Sequence, residues 1–306
     1  MKYTLLGKSG IEVSRITHGC MELGGGPWDV REDKENIALL NTALEHGITT
    51  FDTAESYGKG HSEEVVGQAL HAVRDKVVLC TKVSKENLHK NDVIAACEGS
   101  LRRLNTEYID LYYIHWPNAE IDIGETMEAF LTLKEQGKIR AIGVSNFSVQ
   151  QMQDAMRYAP LDALQPEYNL LTRGIEKDVL PFCREKNLGV LSYGSLGAGI
   201  LTGKFKEPPK PAEGDKRANF YPFFAEPFFG KTQELLVTLR EIAEAHDKPI
   251  AHVAINWVSQ QPGMTCALTG SKNVDQAVMN AAAGDWDLTA EELKKIDDAY
   301  DRIFRA

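Results

Sequence analysis

Ile48-Thr49-Thr50-Phe51-Asp52-Thr53-Ala54-Glu55-Ser56-Tyr57-Gly58 is the stretch that decides the fold. Its first half is β-branched and aromatic, as suits a short buried strand. Its second half is small and polar and breaks at Gly58, as suits a loop leaving that strand. An acid, Asp52, thus stands where a strand ends, and a phenol, Tyr57, stands in the loop beyond it. A lone charge buried at a strand end costs several kcal/mol or more, so Asp52 needs a partner.

Similar apolar runs recur in both directions. They predict strands near Ser14–Gly19, Thr49–Asp52, Val77–Lys82, Ile109–Ile114, Ala141–Val144, Ala163–Gln165, Gly189–Tyr193 and Cys266–Leu268. Between them lie segments of helical period: Asn36-Ile37, Leu39-Leu40 and Ala43-Leu44, then Val65-Val66 and Ala69-Leu70, then Met127, Phe130-Leu131 and Lys134. Gly47, Gly137 and Gly189 read as helix stops. Residues 1–15 alternate around Gly7 and Gly10 and read as a hairpin. Residues 204–231, rich in Pro, Gly and Phe, read as a long excursion after the seventh strand. Residues 285–303 read as a last helix, with Leu288-Thr289-Ala290-Glu291-Glu292 as its start signal.

Strands alternating with helices call for a parallel sheet. A doubly wound open sheet is the rival. Eight units with no composition break favour closure into a (β/α)₈ TIM barrel, one domain over residues 1–306 with an N-terminal β-hairpin and extra helices.

The chain has 306 residues, 43% hydrophobic and 25% charged, with a net charge of −10. That balance argues against nucleic acid as a partner, which needs concentrated Lys and Arg. No apolar run approaches the roughly 20 residues that cross a bilayer, and the N-terminus has no stretch of signal-peptide length. The five cysteines form no Cys-x-x-Cys pair, which points to reduced thiols and a cytoplasmic location. The eight histidines show no metal-ligand spacing, so no metal is expected. The expected partner is a small molecule; monomer and homo-oligomer stay open.

In a (β/α)₈ barrel the C-terminal ends of the strands share one mouth. Those ends carry Asp52, Lys82, His115, Ser145 with Asn146, Gln165 and Tyr193. Each has a plainer explanation alone: a solvated lysine, a core histidine, a packing tyrosine. Their convergence on one face is what speaks for a site.

The motifs resemble the aldo-keto reductase family, over essentially the whole chain. They are Phe51-Asp52-Thr53-Ala54 with Tyr57-Gly58, Thr81-Lys82, and Leu111 to His115-Trp116-Pro117. Further on come Gly137 to Phe147, Gln165-Pro166 before Tyr168-Asn169, Leu201-Thr202-Gly203-Lys204, and Gly270-Ser271-Lys272 leading to Asn280. The bacterial branches that reduce sugars and general aldehydes are most similar, and the potassium-channel β-subunits are a related branch. The resemblance implies the (β/α)₈ barrel and a tetrad of Asp52, Tyr57, Lys82 and His115.

Physical chemistry agrees with those roles. A carbonyl that accepts hydride becomes an alkoxide needing a proton, and a free phenol near pKa 10 is a reluctant donor. An ammonium beside it stabilises the phenolate and is expected to lower that pKa. Tyr57 is then the general acid, Lys82 its tuner, Asp52 the orienter of Lys82 and His115 the group that positions the carbonyl.

The resemblance also implies NADPH/NADP⁺, with NADH open. Gly194-Ser195-Leu196-Gly197-Ala198-Gly199 lacks the spacing of a Rossmann fingerprint. By resemblance, Cys20, Met21, Asp52, Ser145, Asn146, Gln165 and Tyr193 contact the cofactor, with Tyr193 stacked on nicotinamide. Gly194, Ser195, Leu196 and Gly197 line the pyrophosphate; Gly270, Ser271, Lys272, Gln276 and Asn280 surround the adenosine 2′-phosphate and adenine. Gln276 stands where many members carry arginine, Met279 where glutamate is common and Thr269 where proline is usual. Lys272 keeps the expectation on NADPH. Trp28, Tyr57, His115, Trp116 and Asn169 are the expected substrate pocket, with Phe220 to Phe224 as further candidates. Arg217 or Asn219 is expected near the pyrophosphate if residues 204–231 fold over the cofactor. Three activities stay in view: carbonyl reduction or its reverse as an NAD-linked sugar or polyol dehydrogenase, a nicotinamide-binding regulatory subunit with little turnover, and a Schiff-base aldolase on Lys82.

Overall fold

Along Val78-Leu79-Cys80-Thr81-Lys82-Val83 successive side chains take opposite faces, as in any strand. Val78 and Cys80 pack inward with Leu111, Tyr113, Ala141, Ala163, Leu191 and Cys266. Leu79 and Val83 pack outward against helices. This two-sided burial is what a sheet closed on itself inside a ring of helices demands. The computed structural model describes residues 1–25, 31–209 and 221–305.

Strands β1 (Tyr3–Leu5) and β2 (Glu12–Ser14) form an antiparallel hairpin. The barrel strands are β3 (Ile16–Gly19), β4 (Thr50–Asp52), β5 (Val78–Val83), β6 (Ile109–Ile114), β7 (Ile139–Ser145), β8 (Ala163–Gln165), β9 (Gly189–Ser192) and β10 (Cys266–Thr269). All neighbours are parallel, and β10 closes the cylinder between β9 and β3. Helices α1 (Asp33–Glu45), α2 (His61–Leu70), α3 (Lys90–Arg103), α4 (Ile123–Glu135), α5 (Val149–Ala155) and α6 (Val179–Glu185) make the first six crossovers. Helices α7 (Phe228–Ala245) and α8 (Ile250–Ser259) lie between β9 and β10, and α9 (Val274–Ala282) and α10 (Ala290–Phe304) follow. The (β/α)₈ expectation is borne out.

Leu6, Ile11 and Val13 of the hairpin join the inner core and plug the barrel at the N-terminal ends of its strands. Leu6 explains Gly189, because a Cβ there would lie 2.2 Å from Leu6 Cδ1. Gly189 therefore opens β9 and is not a helix stop; Asn187, at φ +48°, turns the chain after α6. Gly47 and Gly137, at φ +89° and +72°, do end their helices as expected.

Ser14 falls in β2, not in the first barrel strand. Its hydroxyl donates to Ile16 O at 2.7 Å and accepts from the amides of Thr49 and Thr50, tying hairpin to barrel. The excursion is shorter than expected, since α7 already starts at Phe228; the prolines ahead of it mask the apolar face of Phe229, Leu235, Leu236 and Leu239. The last helix starts at Ala290 rather than 285. Thr289 and Glu292 form a capping box there, a local stabilisation of about 1 kcal/mol.

Candidate active site

The inward rows continue past the core to the mouth. Val78 and Cys80 lead to Lys82, Leu111 and Tyr113 to His115, Ala163 to Gln165, and Leu191 to Tyr193. Tyr113 lies flat inside because its neighbour across the sheet is Gly143; a Cβ there would stand 2.3 Å from the ring.

Lys82 is fully buried, and its ammonium has three donors. They reach Asp52 Oδ1 at 2.5 Å, the Thr53 carbonyl oxygen at 2.7 Å and the Tyr57 hydroxyl at 3.4 Å. The other oxygen of Asp52 accepts from Gln165 Nε2 at 2.8 Å. A buried ion pair is tolerable only when its remaining hydrogen-bonding capacity is met in this way. Burial alone would lower the Lys82 pKa, but Asp52 and Tyr57 outweigh it and raise it. The amine therefore stays protonated. That removes the nucleophile a Schiff-base aldolase needs.

Tyr57 is carried by a loop that turns left-handed at Gly58, Lys59 and Gly60. Burial pushes its phenol up and Lys82 pulls it down, and the balance stays above the usual value. The expected lowering by Lys82 is thus present but smaller than the desolvation. The His115 ring stands edge-on to Tyr57, with centroids 5.6 Å apart. Burial, with the Lys82 charge, pushes its pKa down to about 3, so the imidazole is neutral at ordinary pH. Its Nδ1 lies 3.4 Å from Ser56 Oγ, a neighbour the sequence did not single out. Trp116 stacks on His115 and is 47% exposed, an apolar face beside the tetrad that solvent reaches.

Four of the candidate cofactor residues, Ser145, Asn146, Gln165 and Tyr193, form one hydrogen-bonded rim. Ser145 Oγ donates to Gln165 O at 2.8 Å; Asn146 Nδ2 donates to Ser145 Oγ at 3.0 Å and to His115 O at 3.1 Å. The Tyr193 hydroxyl donates to Asn146 Oδ1 at 2.9 Å. Asn146 sits at φ +63°, a conformation asparagine tolerates better than most residues. Gly194–Gly197 is a tight turn closed by Gly197 N to Gly194 O at 2.7 Å. Asn280 Nδ2 holds Gly270 O and Ser271 Oγ, each at 3.1 Å.

Other candidates sit differently. Cys20 is buried, and its backbone does the work: its N–H donates to Asp52 O at 2.8 Å and its carbonyl accepts from Ser62 Oγ at 2.7 Å. Met21 is exposed. Asn169 is fully buried; its amide donates to Gly194 O and accepts from the N–H groups of Leu171 and Thr172, which makes it a brace for the loop beneath Gly194. Phe223 and Phe224 are buried in a cluster with Tyr221 and Phe205, which is packing. Trp28, Arg217, Asn219 and Phe220 lie outside the described residues.

A closed parallel barrel with acid, phenol, ammonium and imidazole meeting at its C-terminal mouth invites comparison with known proteins. Residues 15–301 match the model of the Aldo/keto reductase family. The chain belongs to the aldo/keto reductase family. It is 39% identical to the aldo-keto reductase YhdN of Bacillus subtilis, over 97% of this chain and 93% of that protein. The solved glycerol dehydrogenase of Gluconobacter oxydans superposes with a TM-score of 0.90 at 36% identity, covering 97% of this chain and 94% of that one. An aldo/keto reductase from Klebsiella pneumoniae, solved in complex with NADP and acetate, gives a TM-score of 0.80 at 33% identity over 98% and 96% of the two chains. Membership makes the chain an oxidoreductase acting between carbonyls and alcohols.

The rim has unmet polar capacity where a dinucleotide of this family would lie. Ser195 Oγ and Asn280 Oδ1 are buried without a hydrogen-bond partner among the described residues, at the two loops expected to hold phosphate and adenosine. Buried polar atoms left this way cost about 1–3 kcal/mol each unless a ligand or water meets them. The residues present therefore fit such a ligand.

Proposed function

We propose that this chain is an NADP(H)-dependent reductase of aldehydes, small ketones or sugars, with Tyr57 as general acid. The observation that carries the reading is the Lys82 ammonium held between Asp52 and the Tyr57 hydroxyl. When bound, the nicotinamide supplies the hydride that the carbonyl carbon accepts. As charge grows on the carbonyl oxygen, Tyr57 gives up its proton to it; the phenol O–H bond breaks and the alcohol O–H bond forms. Lys82 stabilises the phenolate left behind, and Asp52 with Gln165 keeps Lys82 charged and in register. His115, neutral, donates an N–H to the same oxygen and orients it without competing as an acid. The raised phenol pKa suits reduction, because Tyr57 remains protonated until alkoxide develops. The steps are reversible, so polyol or sugar oxidation is the same chemistry run backwards.

Ser145, Asn146, Gln165 and Tyr193 would hold the nicotinamide end, Gly194–Gly197 the pyrophosphate, and Gly270–Lys272 with Asn280 the adenosine end. Trp116 would form the exposed apolar wall of an open substrate pocket. Residues 1–306 would act as a single barrel unit. Five unpaired, buried cysteines support a reducing, cytoplasmic setting. Among the described residues no helix is long and apolar enough to cross a membrane.

The test is NADPH oxidation over a panel of aldehydes, ketones and sugars, with Tyr57→Phe alongside. Wild type should turn over, and the variant should lose a factor of roughly 10² to 10⁴ while still quenching its tryptophan fluorescence on adding NADPH. Normal turnover by Tyr57→Phe would sink the assignment. A single burst of NADPH oxidation by wild type, with no steady rate, would favour the regulatory-subunit reading.

A further inference from the structure

A neutral imidazole carries one N–H, and the nitrogen that holds it decides what His115 can do. A carbonyl oxygen only accepts, so the ring nitrogen that meets it must be the protonated one. The other nitrogen is then bare and needs a donor. Among the described residues Nδ1 has one neighbour able to donate, Ser56 Oγ at 3.4 Å. Nε2 has no partner there, which leaves it as the nitrogen free to meet a substrate.

Ser56 stands in the turn that carries Tyr57. The Tyr57 N–H donates to Ala54 O at 3.1 Å, and Ser56 O accepts from the Lys59 N–H at 3.4 Å, so backbone bonds hold the residue on both sides. Its hydroxyl makes no other hydrogen bond among the described residues. His115 is held as firmly. Its N–H donates to Val83 O at 3.0 Å, its carbonyl accepts from Asn146 Nδ2, and its ring lies between Trp116, stacked, and Tyr57, edge-on. A carbonyl or carboxylate oxygen in place of Ser56 Oγ could only accept, and would draw the ring proton to Nδ1. A hydroxyl can donate, and so lets the proton sit on Nε2.

We infer that Ser56 is a positioning residue for the reaction: its hydroxyl donates to His115 Nδ1 and keeps the ring proton on Nε2, facing the carbonyl oxygen. The inference rests on the reductase reading above. No bond is made or broken in the ring. As charge grows on the carbonyl oxygen, the hydrogen bond from Nε2 tightens, Nδ1 becomes the better acceptor, and the bond from Ser56 tightens with it. An interaction that strengthens in the transition state shows in kcat rather than in binding. One neutral hydrogen bond is worth roughly twofold to tenfold in rate.

Nitrogen NMR of protein labelled in its histidine rings, with His115→Gln to assign the signals, reads the tautomer without turnover. Wild type should show a bare Nδ1 and a protonated Nε2 at residue 115. Ser56→Ala should shift both signals toward a mixture of the two tautomers. In steady-state assays the same variant should lose about twofold to tenfold in kcat, with substrate KM and NADPH affinity unchanged, and Ser56→Thr, which keeps the hydroxyl, should recover most of the loss. A wild-type ring protonated on Nδ1 would overturn the inference. So would a Ser56→Ala protein with wild-type signals and rate, or one in which kcat and NADPH affinity fall together, which would make Ser56 a loop brace. If wild type turns over no carbonyl, the reductase reading fails, and the ring signals still decide whether Ser56 sets the tautomer.

Discussion

Gly24 and Gly58 meet backbone to backbone beside the Tyr57 phenol. A Cβ on Gly58 would stand 2.1 Å from the Gly24 carbonyl oxygen, and one on Gly24 would stand 2.6 Å from the carbonyl carbon of Tyr57. The short turn Met21–Gly24 thus seats the loop that carries Tyr57, and neither position has room for a side chain.

Gly24→Ala should therefore act on Tyr57 without touching it chemically. The added methyl must displace the Tyr57 backbone, and with it a hydroxyl whose contact to Lys82 already stands at 3.4 Å. Displacement of a reacting group by about 1 Å can cost on the order of 10²-fold in rate. We expect kcat to fall by about that factor while NADPH affinity stays close to wild type. Steady-state kinetics with a fluorescence titration of NADPH checks both; an unchanged kcat would mean that the loop yields elsewhere.

The Asp52–Lys82 pair should behave as a unit. Asp52→Asn leaves a fully buried ammonium without its counter-charge, and Lys82→Met leaves a buried carboxylate with the Gln165 amide as its remaining side-chain partner. Each single variant should lose roughly 3–5 kcal/mol, and the double variant should recover much of it, because no buried charge is left. All three should be inactive. Urea unfolding of the four proteins tests this; a double variant as unstable as the sum of the singles would mean that the pair is not coupled.

Much of this was legible in the sequence, for an identifiable reason. Strand ends can be read from apolar runs, and in a closed parallel barrel strand ends converge. Asp52, Lys82, His115, Ser145, Gln165 and Tyr193 could therefore be grouped before any distance was known. Contacts made by backbone or by residues far apart in loops could not. The Thr53 carbonyl that accepts the second Lys82 hydrogen bond has no signature, since every residue has a carbonyl. Gly24 has no signature either, because its close approach to Gly58 joins two loops far apart in the chain. Asn169 misled because a buried brace and a pocket asparagine look alike in sequence. Tyr57 was expected to be lowered by its cation because sequence shows the cation and not the depth of burial.

His18 should make the fold acid-sensitive over a definite range. Its folded pKa is about 4, below the unfolded value of 6.5, because of burial and the Arg31 charge. Above 6.5 the group is neutral in both states and has no effect. As pH falls below 6.5 the unfolded chain binds a proton first, so stability drops until about pH 4, where the native state also binds it. Two and a half units correspond to roughly 3 kcal/mol. Its Nε2 has no hydrogen-bond partner among the described residues, so His18→Leu should be nearly neutral at pH 7. Urea midpoints at pH 7 and pH 4.5 should differ less for the variant than for wild type. Equal differences would assign the acid sensitivity to other groups.

His115 differs in that its titration should be invisible to the rate. Burial and the Lys82 ammonium hold its pKa at about 3, since an imidazolium there would set a second positive charge beside the first. Across about pH 5 to 8, where an unperturbed histidine changes charge, the ring stays neutral, with one N–H to donate and no extra proton to give up. His115→Gln keeps an N–H donor but loses the imidazole's reach and its edge contact with Tyr57. Its reduction rate should therefore be lower by the same factor at every pH in that window, with the shape of the profile unchanged. If instead the wild-type rate falls as pH rises through about 6.5 and that fall vanishes in His115→Gln, then His115 is the acid and Tyr57 loses that role to it.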